Sequence, residues 1–232
     1  MILSAAEWAI VTLSLRIALV ATLLSLPLAI WIAWLLARRD FFGKSILNII
    51  VHLPLVLPLV VTGYALLLLF GKKGPFGEMF ETLFGITFAF RSTGAALAAA
   101  IMGFPLIVRA IRLGFEGVDH GLEEAGATLG ASKRAVFRRV TLPLITPALL
   151  TGAVLGFAKA MGEFGATITF VASIPGQSET LPSAIYTLLQ VPGGEADALR
   201  LIAISVAVSV LALAISEVLA RRALRRVAGP GV

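Results

Sequence analysis

Residues 17–36, IALVATLLSLPLAIWIAWLL, run for twenty positions without a charge. That is the length of helix that crosses the hydrocarbon core of a bilayer, about 30 Å. Arg16 stands just before the run, and Arg38-Arg39 follow it. A cleaved export signal is excluded, because Met1–Glu7 carries no Lys or Arg, the apolar run is too long, and no small-residue cleavage site follows. The stretch is therefore a transmembrane helix, and the rest of the chain must be compatible with a membrane.

It is. The chain has 232 residues, 59% of them hydrophobic and only 14% charged, and its mean hydropathy is +0.99. A soluble domain carries about a quarter charged residues. Disorder is excluded by this apolarity, and a disulfide scaffold or thiolate metal site by the absence of cysteine. Two histidines, His52 and His120, make a poor basis for a metal centre. The net charge of +6 forms no continuous stripe for nucleic acid; the basic residues gather at the ends of apolar runs.

Four further runs follow. The expected spans are approximately 10–37, 46–70, 90–111, 144–171 and 199–220, in a single domain covering 1–232. The second run contains Pro54 and Pro58 and is expected to kink. The segment between Pro182 and Pro192 is too short to cross and is expected to lie at the interface or to re-enter. Thirteen basic residues fall on one side of these spans, against Lys72, Lys73, Arg91 and Arg200 on the other. The positive-inside rule puts the N-terminus outside and the C-terminus in the cytoplasm. The last residues, Gly229–Val232, are expected to form only a short tail.

The longest cytoplasmic connection, 114–141, reads GFEGVDHGLEEAGATLGASKRAVFRRVT. Asp119 is placed to cap a helix, and Leu122, Ala125 and Leu129 give it a narrow apolar stripe. Gly130 is expected to end that helix, and Ser132 to cap a second one that stops at Pro143. Gly43-Lys44-Ser45 imitates the end of a phosphate-binding loop, but Arg38 stands where its first glycine belongs, and no strand precedes it.

The motif Glu124-Ala125-Gly126, with Gly130 six positions after Glu124 and Val140-Thr141-Leu142-Pro143 beyond it, resembles the EAA loop of ABC-importer permeases. Gly126 and Val140 depart from the usual alanine and isoleucine. The resemblance implies that Glu124, Ala125, Gly126, Gly130, Val140, Leu142 and Pro143 belong to a coupling element that docks on an ATPase subunit. It also implies an all-α integral membrane protein of about five spans, with the type I ABC-importer permease fold.

Lys159 and Glu163, four apart in the fourth run, are expected to share a helix face. They are either gate residues of a pore or a buried pair that fixes packing. Gly162-Glu163-Phe164-Gly165-Ala166 resembles the permease branch that serves sulfate and molybdate. Ile174-Pro175-Gly176, the segment 181–188 LPSAIYTL, 52–58 HLPLVLP and 104–112 FPLIVRAIR resemble the molybdate permeases in particular. Lys159 stands where the resemblance leads one to expect arginine.

On that resemblance, the chain is expected to work as a homodimer in the bacterial inner membrane. Two ATP-binding subunits and an external molybdate-binding protein are its expected partners. ATP and Mg would reside on the ATPase, with no cofactor or metal on this chain. Lys159, Glu163, Thr167 and Thr169 are candidates for the translocation path. Sulfate, thiosulfate and tungstate are alternative cargoes. An ion-coupled secondary transporter would want inverted repeats and more buried carboxylates, and a membrane enzyme a cluster of His, Cys or carboxylates.

Overall fold

A computed structural model describes residues 4–228, and every regular element in it is helical. The elements are α1 (Ala5–Arg38), α2 (Lys44–Val56), α3 (Leu59–Phe70), α4 (Pro75–Phe84) and α5 (Ser92–Glu116). Then come α6 (His120–Thr128), α7 (Lys133–Val136), a π-helical turn (Phe137–Thr141), α8 (Leu142–Met161), α9 (Gly165–Val171), α10 (Leu181–Leu189) and α11 (Glu195–Ala228). The terminal tail 229–232 lies outside the described residues. Helices are the natural outcome, since a lipid-embedded backbone has no water to satisfy its N–H and C=O groups.

The centre is the packing of α1 on α5 and of α5 on α8. Small side chains let these helices approach: Ala18 and Ala21 of α1 and Ala95, Ala98 and Ala99 of α5 are all nearly inaccessible. At the α5–α8 crossing, Gly103 meets Gly156. Small faces of this kind replace the hydrophobic driving force that is missing inside a bilayer. A second cluster, Ala29, Ala33, Leu36, Ile107, Ile111, Phe115 and Ile145, packs nearer the other end of α1. Two buried hydroxyls of α1 are satisfied within the helix: Thr22 and Ser25 donate to the carbonyls of Ala18 and Ala21, both at 2.7 Å. At the start of α1, Ser4 and Glu7 form a reciprocal cap, and Glu7 also accepts from Arg200 at 3.0 Å. This clip holds the beginning of α11 to that of α1.

Among the described residues, four helices are long and apolar enough to cross a bilayer, or five if α2 and α3 together make one span. The kink expected in the second run is present as a full break, and two other expectations need correction. The second run is two helices, and the chain turns by 114° between them. Pro54 is carried inside α2, and the break falls at Leu57–Pro58. Pro58 brings no N–H, and its ring pushes Leu57 into extended backbone, φ −67° and ψ 142°.

The second loop helix does not stop at Pro143. Lys133 to Met161 is a continuous helical rod of 29 residues. A wider turn absorbs the proline: the Leu142 N–H donates to the Phe137 carbonyl, five residues back. That local expansion is the π-bulge by which a helix takes up an irregularity without ending.

The fourth run is also not one helix. α8 ends at Met161, and α9 starts at Gly165, so Lys159 and Glu163 face each other across a break rather than along one helix face. α5 extends to Glu116, beyond the expected 111. The segment 181–189 is a nine-residue helix, too short to cross. Sequence reading passed over α4, whose Phe76, Phe80 and Phe84 follow helical spacing and whose Phe80 packs edge-on against Phe88 at 5.3 Å.

The bent pair yields a test, made direct by the absence of cysteine. If α2 and α3 form one span, a cysteine replacing Asp40 and one replacing Lys72 should label from opposite sides of sealed vesicles. Labelling from the same side would make the pair re-entrant and the span count even.

Candidate coupling loop and polar break

Two places concentrate polar groups against the apolar background. The first is the loop after α5. The Asp119 carboxylate accepts from the Gly121 N–H at 2.8 Å and starts α6 as expected. None of α6 is buried, and Leu122 and Leu129 are exposed, Leu129 at 88%. Gly130 has φ +83°, and the Ala131 N–H returns to the Gly126 carbonyl at 3.2 Å. This is the helix-ending turn that favours glycine. Ser132 then accepts from the Ala135 N–H and opens the next helix.

The motif residues meet in space. A Cβ on Gly126 would lie 3.3 Å from Val136 Cγ2 and 3.8 Å from Val140 Cγ2. The small residue and the aliphatic residue fourteen positions later are therefore the two sides of one contact, which folds α6 back on the rod. Leu142 and Pro143 stand at the start of α8. Glu124 and Ala125 are exposed on α6. A Cβ at 126 needs a shift of only a few tenths of an ångström. Gly126→Ala is therefore expected to keep the loop folded, with the melting temperature within a few degrees of wild type, the scale of about 1 kcal/mol.

Glu123 is the residue that sequence reading missed. Its carboxylate accepts from the Thr141 hydroxyl and pairs with Arg38 at 3.4 Å. Arg38, at the end of α1, has a side chain only 9% exposed. The pair thus ties the loop to the first span. A signal for it existed, a carboxylate beside the motif and an arginine ending the apolar run, but only the fold brings positions 38, 123 and 141 together.

The second place is the break between α8 and α9. Glu163 is 3% exposed. One oxygen accepts from Lys159 Nζ at 2.8 Å and the other from the Ala166 N–H at 3.1 Å. A buried carboxylate is costly unless paired and hydrogen-bonded, and here both oxygens are engaged. Thr167 is buried on α9, and the Thr169 hydroxyl donates to the Gly165 carbonyl at 3.1 Å. The structure thus joins Lys159 and Glu163 and sets the two threonines on the adjoining short helix. α9 packs on α3, where a Cβ on Gly63 would lie 2.5 Å from the Ala166 carbonyl oxygen. Among the described residues, no group of three His, Cys, Asp or Glu side chains is arranged to hold a metal.

Long apolar helices, one broken at a satisfied ion pair, with a capped loop exposing leucines to solvent, are the architecture of an integral membrane protein. The chain belongs to the family described as "binding-protein-dependent transport system inner membrane component", whose pattern matches residues 25–225. It is 57% identical to the molybdenum transport system permease protein ModB of Escherichia coli K12, over 95% of this chain and 96% of that one. The ModB protein of Haemophilus influenzae is 50% identical over 93% of this chain and 94% of its own length. A probable sulfate transport permease of Chlorokybus atmophyticus is more distant, 38% over 76% of this chain and 62% of that one. A bacterial ABC transporter that imports alginate shares the fold, with TM-score 0.71 at 16% identity over 96% of this chain and 80% of that one. The methionine ABC transporter MetNI does so too, with TM-score 0.67 at 15% identity over 95% of each chain. The protein is a permease with the type I ABC-importer fold, a non-catalytic membrane subunit.

Proposed function

We propose that the chain carries molybdate as the membrane subunit of an ATP-driven importer in the bacterial inner membrane. The supporting observation is the near-full-length identity to the Escherichia coli molybdenum permease, well above that to the sulfate relative. In this reading two copies form the path, two ATP-binding subunits drive it, and an external molybdate-binding protein delivers the anion. ATP and Mg reside on the ATPase. The N-terminus is external and the C-terminus cytoplasmic.

The loop at 114–141 is the coupling element. Its exposed Leu122 and Leu129 offer an apolar ridge to the ATPase, and the contact of Gly126 with Val136 and Val140 makes α6 move with the rod that leads into α8. ATP-driven closure of the ATPase pair draws the two loops together, and the spans open outward to receive the anion.

Lys159, Glu163, Thr167 and Thr169 border the path. Lys159 offers a positive charge that is held, not free, because Glu163 balances it. An uncompensated cation would trap a dianion, whereas conduction requires binding weak enough to release. The test is uptake by vesicles holding the permease with its ATPase and binding protein, with molybdate, tungstate and sulfate compared. ATP-dependent accumulation of molybdate, with sulfate carried far more slowly, is the expected result. Preferred uptake of sulfate would overturn the molybdate reading.

A further inference from the structure

A cavity of about 710 Å³ opens between α1 and the coupling loop. Its upper wall is apolar, formed by Pro27, Ile30 and Trp31 of α1 with Phe137 from the rod. Its lower rim carries Arg38, Arg39 and Lys133 beside Glu123 and Glu124. Arg38 and Glu123 neutralise each other. Arg39 lies over the Trp34 ring at 5.4 Å, and Lys133 has no carboxylate within ion-pair distance among the described residues. A neighbouring hollow of about 310 Å³ is lined by Arg134, Arg138 and Arg139 with no acid at all.

We propose that this cavity binds one anionic phospholipid of the leaflet that borders the loop, with its phosphate between Arg39 and Lys133 and an acyl chain along Ile30 and Trp31. The reach of the cavity decides for an amphiphile. From Arg38 to Pro27 the helix climbs eleven residues, about 16 Å along the first span, so the basic rim stands at headgroup depth and the apolar wall at acyl-chain depth, the profile of one amphiphile. Cationic pockets between spans suit anionic headgroups. The bound lipid would brace the loop against α1. The proposal uses the position of the loop beside the membrane and does not depend on the cargo, so it stands or falls apart from the transport reading.

The chain's three tryptophans provide the probe. In Trp8→Phe, only Trp31 and Trp34 report, and both line the cavity. Full-length protein is placed in vesicles containing either brominated phosphatidylglycerol or brominated phosphatidylcholine at equal mole fraction. Phosphatidylglycerol is expected to be enriched at the tryptophans by about fivefold, the scale of one basic side chain facing anionic lipid. Arg39→Gln with Lys133→Gln should erase the preference while the emission maximum stays in place. Excess inorganic phosphate should leave it intact; its loss would reassign the rim to a soluble anion. Equal quenching by both lipids in the Trp8→Phe protein would overturn the proposal. So would protection from both that grows with protein density, which would put a second copy of the chain in the cavity.

Discussion

Glu163→Ala should cost the permease about 3 kcal/mol of stability and nearly all of its transport. The side chain is buried, and both of its oxygens are used, one on Lys159 and one on the Ala166 N–H. Removing one partner of a buried pair typically costs 3–5 kcal/mol, because the other charge is left uncompensated. The low end applies here, since Lys159 keeps 28% of its side chain accessible. Thermal unfolding monitored by fluorescence, beside uptake in the reconstituted complex, measures both effects. Glu163→Gln separates the two roles. It can still accept from Ala166 while losing its charge, so a residue that borders the path should alter transport kinetics with the dimer intact. If the glutamine variant instead loses the dimer and its ATPase together, Glu163 is purely a packing partner, and the gate reading fails.

Gly130→Leu should uncouple the machine while leaving the membrane part whole. At φ +83° a residue with a Cβ pays roughly 1–2 kcal/mol. No atom lies within 4 Å of where that Cβ would be, so the cost is backbone strain, not collision within this chain. The strain acts on the turn that closes α6 through the Ala131–Gly126 bond. The spans and the dimer should remain, and either ATPase docking or the link between hydrolysis and uptake should fail. Gly130→Asn is the control, because asparagine tolerates the left-handed region and should retain much of the coupling. Uptake and ATPase rates measured side by side give the answer. Wild-type values for both in the leucine variant would remove this loop from the coupling mechanism.

The two variants probe the regions where sequence and structure relate differently. In the loop, local rules sufficed for the caps. Asp119, Gly130 and Ser132 each act within three or four residues of themselves, and capping is a short-range matter of one oxygen and one N–H. The long apolar runs were equally legible, since span length follows from bilayer thickness alone. Proline broke this legibility. Pro54, Pro58 and Pro143 look alike in sequence, yet one is carried inside a helix, one breaks a span by 114°, and one is absorbed by a π-turn. Which outcome occurs depends on whether the neighbours reward a straight helix or a bent one, and no window of sequence contains that information.

What the sequence determined by itself was the bilayer as solvent, the helical class, the approximate spans and the capped loop, because these rest on composition, run length and near-neighbour hydrogen bonds. Only the tertiary structure decided that Glu163 sits in a break and closes on both Lys159 and the Ala166 amide. It alone set Gly126 against Val140 and brought Glu123 to Arg38 and Thr141 across 85 and 18 positions. The Glu163 contacts exist because α8 breaks before α9, the Gly126 and Thr141 contacts because the loop folds back on the rod, and the Arg38 contact only once the loop has packed against α1.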